Sequence, residues 1–199
     1  MSKLLITVLL FLTGSYATGR TLDEDFERAA KKTNVPVKLL KAICFAESNH
    51  RPYMYNPDDP GGGAFGICQV LGTTAASFME EDPKCLKVWK RSSSENNYNN
   101  CKYFGRYTNM YLAGRVLRWQ MNMHKNDWLA SIAGYNSGTP KLCIDGWVIK
   151  SNNAKKLYKP RKWGRSSCWK TVSGKRVWQE GHFLNQPYVN RVMKALGRF

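Results

Sequence analysis

Acidic residues are scarce in this chain: 14 Asp and Glu stand against 31 Lys and Arg in 199 residues. A formal charge of +17 concentrates polyanions, nucleic acid and anionic envelope polymers among them, and charge alone does not rank them. Histidine is rarer still, limited to His50, His124 and His182. No CxxC or closely spaced Cys/His group accompanies these, which removes the usual spacing of a metal site. HExxH, a phosphate loop and a Gly-rich dinucleotide turn are also missing, so no metal, nucleotide or other cofactor is expected. No apolar run reaches the roughly 20 residues of a membrane span. No repeat or domain linker interrupts the chain.

What is present begins with an export signature. Lys3 precedes an apolar run from Leu4 to Leu12, and Ser15-Tyr16-Ala17 offers small residues where a signal peptidase reads. Residues 1–17 are therefore read as a secretory signal peptide. Residues 18–199 have the length of one domain, and 43% hydrophobic content is ample for a core. Six cysteines, all after Ala17, suit an oxidising compartment, so a periplasmic or secreted monomer is expected. They allow fifteen pairings, and sequence does not choose. Cys85 with Cys101, and Cys143 with Cys168, would each staple a polar, turn-rich segment. Cys44 and Cys68 could join the two strongest motifs.

The apolar pattern is mainly helical. Leu22, Phe26, Ala29 and Ala30 share a helix face, with Asp23, Glu24 and Asp25 at its positive end. Pro36 opens a second helix, since a first turn tolerates its missing N–H. Leu39, Leu40, Ile43, Cys44 and Ala46 cover most of its circumference, which makes it a buried helix that ends before Pro52. Turn formers fill 56–63, and a short helix is expected around Thr73–Met79. A long helix follows over 106–123. Another is capped by Asp127 and runs into Gly134-Tyr135-Asn136-Ser137-Gly138. Helical spacing resumes at Pro187. Residues 80–105 are polar and irregular. Between Lys141 and Arg176 eleven Lys/Arg meet one acid, Asp145, and 139–187 holds four of the seven tryptophans. Short strands or a hairpin are expected there, with Ser173-Gly174 as a turn. That segment reads as a glycan-stacking or docking surface, or as a stapled hairpin with a solvated basic face.

Glu47 is the acid that stands out. It falls near the C-terminal end of the buried helix, among Ile43, Phe45 and Ala46. Lost hydration and the negative helix end both push its pKa upward. A carboxyl kept protonated near neutrality can donate a proton to a glycosidic oxygen. Taken singly, it reads equally well as a buried Glu paired with Arg or Lys.

It is not alone. Glu47-Ser48 is followed by Gly63-Ala64-Phe65-Gly66-Ile67-Cys68-Gln69-Val70, then Ala133-Gly134-Tyr135-Asn136-Ser137-Gly138, then Tyr188-Val189. Their order and spacing resemble the soluble lytic transglycosylases, whose core is similar to goose-type lysozyme. The resemblance covers about 33–79, 106–138 and 187–196. It implies a lysozyme-like α+β domain, mainly α, carrying disulfide-stapled irregular or β insertions at about 80–105 and 139–187. It implies peptidoglycan glycan strands as substrate. Glu47 would protonate the oxygen between N-acetylmuramic acid and N-acetylglucosamine. The same residue would then take the proton of the muramic C6 hydroxyl as that oxygen attacks C1. Ordinary glycosidases use two carboxylates; intramolecular attack needs one, because the substrate's acetamido group can stabilise C1.

The resemblance further implies that Ser48, Gly66, Gln69, Tyr135 and Asn136 contact substrate. Gln69 would hydrogen-bond sugar, and the Tyr135 hydroxyl would approach Glu47 or the leaving oxygen. Ser48 reads equally as a helix-terminal cap. The chain departs from the family pattern at Cys68, where methionine is usual, and at Gly134, where alanine is commoner, a small change. A water-using lysozyme would need a second carboxylate. Asp58 and Asp59 are the only acids placed to supply one, although Asp also simply favours turns. A basic wall-binding protein without chemistry is the remaining reading, and it gives no reason for Glu47, Gln69 and Tyr135 to be intact together. His50, three residues beyond Glu47, is expected to be structural or exposed.

Overall fold

The computed structural model describes residues 20–59, 63–79, 105–138 and 185–199, together with Phe183 and five strand segments between 141 and 178. The proposed signal peptide, the 80–105 insertion apart from Gly105, the pair Cys85–Cys101, and Cys168 of the pair Cys143–Cys168 lie outside the residues so described.

Helix α1, Leu22–Thr33, starts with a reciprocal cap. The Thr21 hydroxyl accepts from the Glu24 N–H, and the Glu24 carboxylate accepts from the Thr21 N–H, satisfying two donors the helix cannot. Helix α2, Val37–Ser48, ends at Asn49 in the left-handed conformation, whose N–H returns to the Phe45 carbonyl. Three two-residue strands follow: β1 Tyr55–Asn56, β2 Ala64–Phe65 and β3 Val70–Leu71, paired antiparallel in that order. They are too short to show alternation in sequence. Then come α3 Gly72–Met79, α4 Arg106–Met123 and α5 Trp128–Ser137, the last capped by Asp127 as expected.

Strands β4 Lys141–Ile144, β5 Trp147–Ser151 and β6 Pro160–Lys162 form one antiparallel sheet. A separate hairpin pairs β7 Trp169–Val172 with β8 Lys175–Trp178, Val172 opposite Lys175. Two residues are left to join them, where sequence puts Ser173-Gly174. Helix α6, Gln186–Leu196, closes the chain with Pro187 in its first turn.

Helix α4 is the central element, lying against α1, α2, α3 and α5, while α6 packs on α2 and α5. Phe26, Leu39, Leu40, Ile43, Phe65, Ile67, Met110, Leu117 and Ile132 are all fully buried in one core. The result is the lysozyme-like α+β arrangement, mainly helical with small antiparallel sheets. Arg106 reaches across from α4 to the buried carboxylate of Asp25 at 2.6–2.7 Å. This charge-assisted contact fixes α1 on α4.

Gly134 is more than a small departure from alanine. A Cβ there would sit 2.7 Å from Cδ of Gln120. The Gln120 amide donates to the Gly134 and Gly138 carbonyls, both at 3.0 Å. The glycine is what lets α5 approach α4 closely enough for these bonds. No described helix is long and apolar enough to cross a membrane.

Candidate active site

Glu47 is the penultimate residue of α2, and its position is fixed from both sides. One turn earlier Cys44 is bonded to Cys68, Cα atoms 4.1 Å apart, which ties the helix to the turn 66–69. One residue later the Ser48 hydroxyl donates to the Ile67 carbonyl at 2.6 Å. The possible Cys44–Cys68 link of the sequence therefore forms. Ser48 is 2% exposed and its proton is committed to Ile67, so it fastens the helix end, the second of the two roles open to it in the sequence.

The turn is held from α4 by a residue that sequence reasoning missed. Asn109, fully buried, accepts from the Cys68 N–H at 2.9 Å and donates to the Phe65 carbonyl at 3.0 Å. Its side chain lies directly against Gly66, where φ is +75° and any Cβ would collide with it. Gly66 is thus needed for its missing side chain. It is buried. The absence of a side chain can be read from sequence, but the asparagine it admits, 43 residues away, cannot.

Gln69 is partly exposed, at φ +46°. Its side-chain nitrogen donates to the carbonyls of Met54 and Gly66, at 3.1 and 3.0 Å. Both amide protons are spent inside the protein, so what Gln69 can offer a ligand is the oxygen Oε1, an acceptor. Gln69 and Tyr135 line a small cleft of about 40 Å³ with Val70, Leu71, Thr74 and Val116.

The phenol that touches Glu47 is not the expected one. Tyr135 donates to the Cys68 carbonyl at 2.9 Å. Tyr188, from α6, donates to Glu47 Oε1 at 2.7 Å and is 3% exposed. The sequence contained the signal, the Tyr188-Val189 pair, but spacing along the chain could not show that α6 lies beside α2. Tyr135 remains close enough that the charge of Glu47 raises its pKa further, beyond the effect of burial. Asn136 is exposed at the end of α5, its Oδ1 accepting from Asn185 at 3.1 Å. Tyr188 and Tyr135 therefore both lie near Glu47, and Gln69 shares the small cleft of Tyr135.

Burial raises the pKa of Glu47 from 4.5 to about 7. The Tyr188 hydrogen bond and the Arg191 guanidinium act against burial, and Asp59 adds a smaller upward push. Among the described residues Oε2 of Glu47 has no hydrogen bond, so that oxygen is the one able to pass a proton outward. Asp59 is tied to Asn56 at 2.9 Å, and the Asp58 N–H bonds the Asn56 side chain. Both aspartates thus serve the loop. His50 is structural: its ring bonds the Lys41 carbonyl at 2.9 Å and packs among Phe26, Phe45 and Phe199. Among the described residues no three His, Cys, Asp or Glu cluster as metal ligands would.

Compared with known families, the chain matches the Transglycosylase SLT domain over residues 24–158, about two thirds of its length. The match includes Glu47, Gln69 and Tyr135 and stops short of Tyr188. No curated protein and no solved structure matches.

Proposed function

The chain belongs to the Transglycosylase SLT domain family, whose reaction is lytic-transglycosylase-type cleavage of peptidoglycan, and we propose that Glu47 is its single acid and base. The observation that carries this reading is a carboxyl with a pKa of about 7, anchored through one oxygen by Tyr188 and unbonded at the other.

The protonated Oε2 gives its proton to the oxygen joining N-acetylmuramic acid to N-acetylglucosamine, and the C1–O bond breaks. The muramic acetamido group steadies the positive charge at C1. Glu47, now a carboxylate, takes the proton of the C6 hydroxyl while that oxygen bonds C1. A 1,6-anhydro end forms, no water is consumed, and Glu47 is protonated again. A pKa near the working pH suits a group that must do both steps.

Tyr188 fixes the carboxyl's rotamer through the first step. Gln69 Oε1 accepts from sugar N–H or O–H groups. Tyr135 holds the 66–69 turn and lends its ring to the cleft, and Asn136 meets the strand further out. The chain acts as a monomer outside the cytoplasm, in the periplasm or secreted. Residues 1–17 are removed on export, and 18–199 form one domain with insertions at about 80–105 and 139–187.

Product masses from digested sacculi test this reading. Ends 18 Da lighter than reducing ends, the mass of one water, mark transglycosylation. Retention of full activity by Glu47→Gln would overturn it. A second reading, hydrolysis by water, has one observation in its favour: Asp59 is near enough to Glu47 to raise its pKa. Reducing ends, lost together with activity in Asp59→Asn, would select it.

A further inference from the structure

The last turns of α2 and α6 enclose a cleft of about 340 Å³ beside Glu47. Its walls carry four cations, Arg51, Arg191, Lys194 and Arg198, and Glu47 is the only carboxyl among its lining residues. Cations at helix C-termini commonly answer the helix dipole, and Arg51 does so, donating from Nε to the Ser48 carbonyl at 3.0 Å. Lys194, in the last turn of α6, does so as well, whereas Arg191 and Arg198 have ring partners. Arg191 rests over the Tyr188 ring at 5.5 Å, and Arg198 over the Phe45 ring at 4.7 Å. Lys194 has no ring or carboxylate partner among the described residues. Stacking holds a guanidinium plane in place while leaving its edge N–H groups available, which is the geometry that grips a carboxylate.

We propose that this cleft seats free carboxylates of the peptide carried by the glycan strand, making Lys194 and Arg198 substrate-selecting residues. The inference rests on the reading of the chain as a peptidoglycan-cleaving enzyme. It follows from the cleft sharing Glu47 with the reaction site: a strand bound for cleavage carries its peptide branches on alternate sugars. The nearest part of the substrate able to satisfy several cations is the carboxylate ends of a branch. Neutral sugar brings no negative charge to Lys194 and Arg198, which have no carboxylate partner among the described residues, whereas an acidic peptide gives them charge-assisted bonds.

The test compares kcat/KM on intact peptidoglycan with kcat/KM on glycan stripped of its peptides by an amidase. The wild-type chain should favour the intact polymer. In Lys194→Gln/Arg198→Gln that preference should fall about tenfold, mainly through KM, as expected for losing charge-assisted contacts to a carboxylate. Lys194→Arg keeps the charge there, leaves the stacked Arg198 guanidinium in place, and should retain the wild-type preference. Both residues are exposed, so the variants disturb little of the fold.

Direct titration of the full Glu47→Gln chain with a stem-type tripeptide bearing free carboxylates should give binding that its methyl ester lacks. Equal preference in wild type and variant, or equal binding of acid and ester, overturns the inference even if anhydro ends are formed. Carboxylate-dependent binding by a chain that cleaves no glycan would leave the cleft standing and sink the enzymatic reading instead.

Discussion

The stability of the protein should carry the signature of Glu47 in its pH dependence. A carboxyl held at about 7 in the folded chain, against 4.5 when unfolded, keeps a proton that the unfolded chain gives up between those values. Its favourable contribution is complete below pH 4.5 and is lost as pH rises through 7. At roughly 1.4 kcal/mol per pH unit of separation, the ionised carboxylate costs the native state about 3 kcal/mol by pH 8.

Glutamine keeps the shape of the side chain and an oxygen to accept from Tyr188, but it cannot ionise. Glu47→Gln should therefore gain about 3 kcal/mol over wild type between pH 4 and pH 8. That is a change of about 1–2 M in the difference between urea midpoints. All other titrating groups are common to both proteins and drop out of the comparison. A difference that stays flat with pH would mean that the carboxylate is well hydrated in the folded chain. The case for Glu47 as a proton donor at neutral pH would then fail.

The same carboxyl sets the alkaline limb of the rate. In wild type, kcat/KM should decline above pH 7 as the acid form of Glu47 disappears. Tyr188→Phe removes a bond that lowers its pKa, and Arg191→Gln removes a charge with the same effect, so each should move that limb to higher pH. Asp59→Asn should move it slightly lower; pH–rate profiles of the three variants check the signs together. Asn109→Ala strips the 65–68 turn of two buried backbone partners and should cost about 3 kcal/mol in urea unfolding, with activity falling alongside. Losing the Cys44–Cys68 bond in Cys44→Ala/Cys68→Ala should cost about 3 kcal/mol through the freedom regained by a 24-residue loop, read as a lower thermal midpoint.

The helices were legible because burial writes itself into sequence at helical spacing. Phe26 with Ala29 and Ala30 marks the inner face of α1, and Asp127 and Pro187 mark where α5 and α6 start. The strands around the site were not legible. Two-residue strands such as β2 and β3 owe their existence to neighbours across the sheet, not to any alternation of their own. Glu47 could be found from its own helix, an acid near the end of a run that buries Leu39, Leu40, Ala42, Ile43 and Cys44.

What spacing could not supply was the division of labour among the polar groups around that acid. Ser48 and Gly66 stand in the motifs, yet one fastens a helix end and the other makes room for Asn109. Tyr135 and Tyr188 are interchangeable on paper, since each is a phenol on a helix after the glycine turn. Only the packing of α6 against α2 decides between them: it brings the Tyr188 hydroxyl 2.7 Å from the carboxylate and leaves Tyr135 on the Cys68 carbonyl. The two phenols therefore separate in experiment. Tyr135→Phe loosens the turn without moving the pKa of Glu47 through a hydrogen bond. Tyr188→Phe moves that pKa directly, so a shifted alkaline limb in Tyr135→Phe alone would mean that the roles are the other way round.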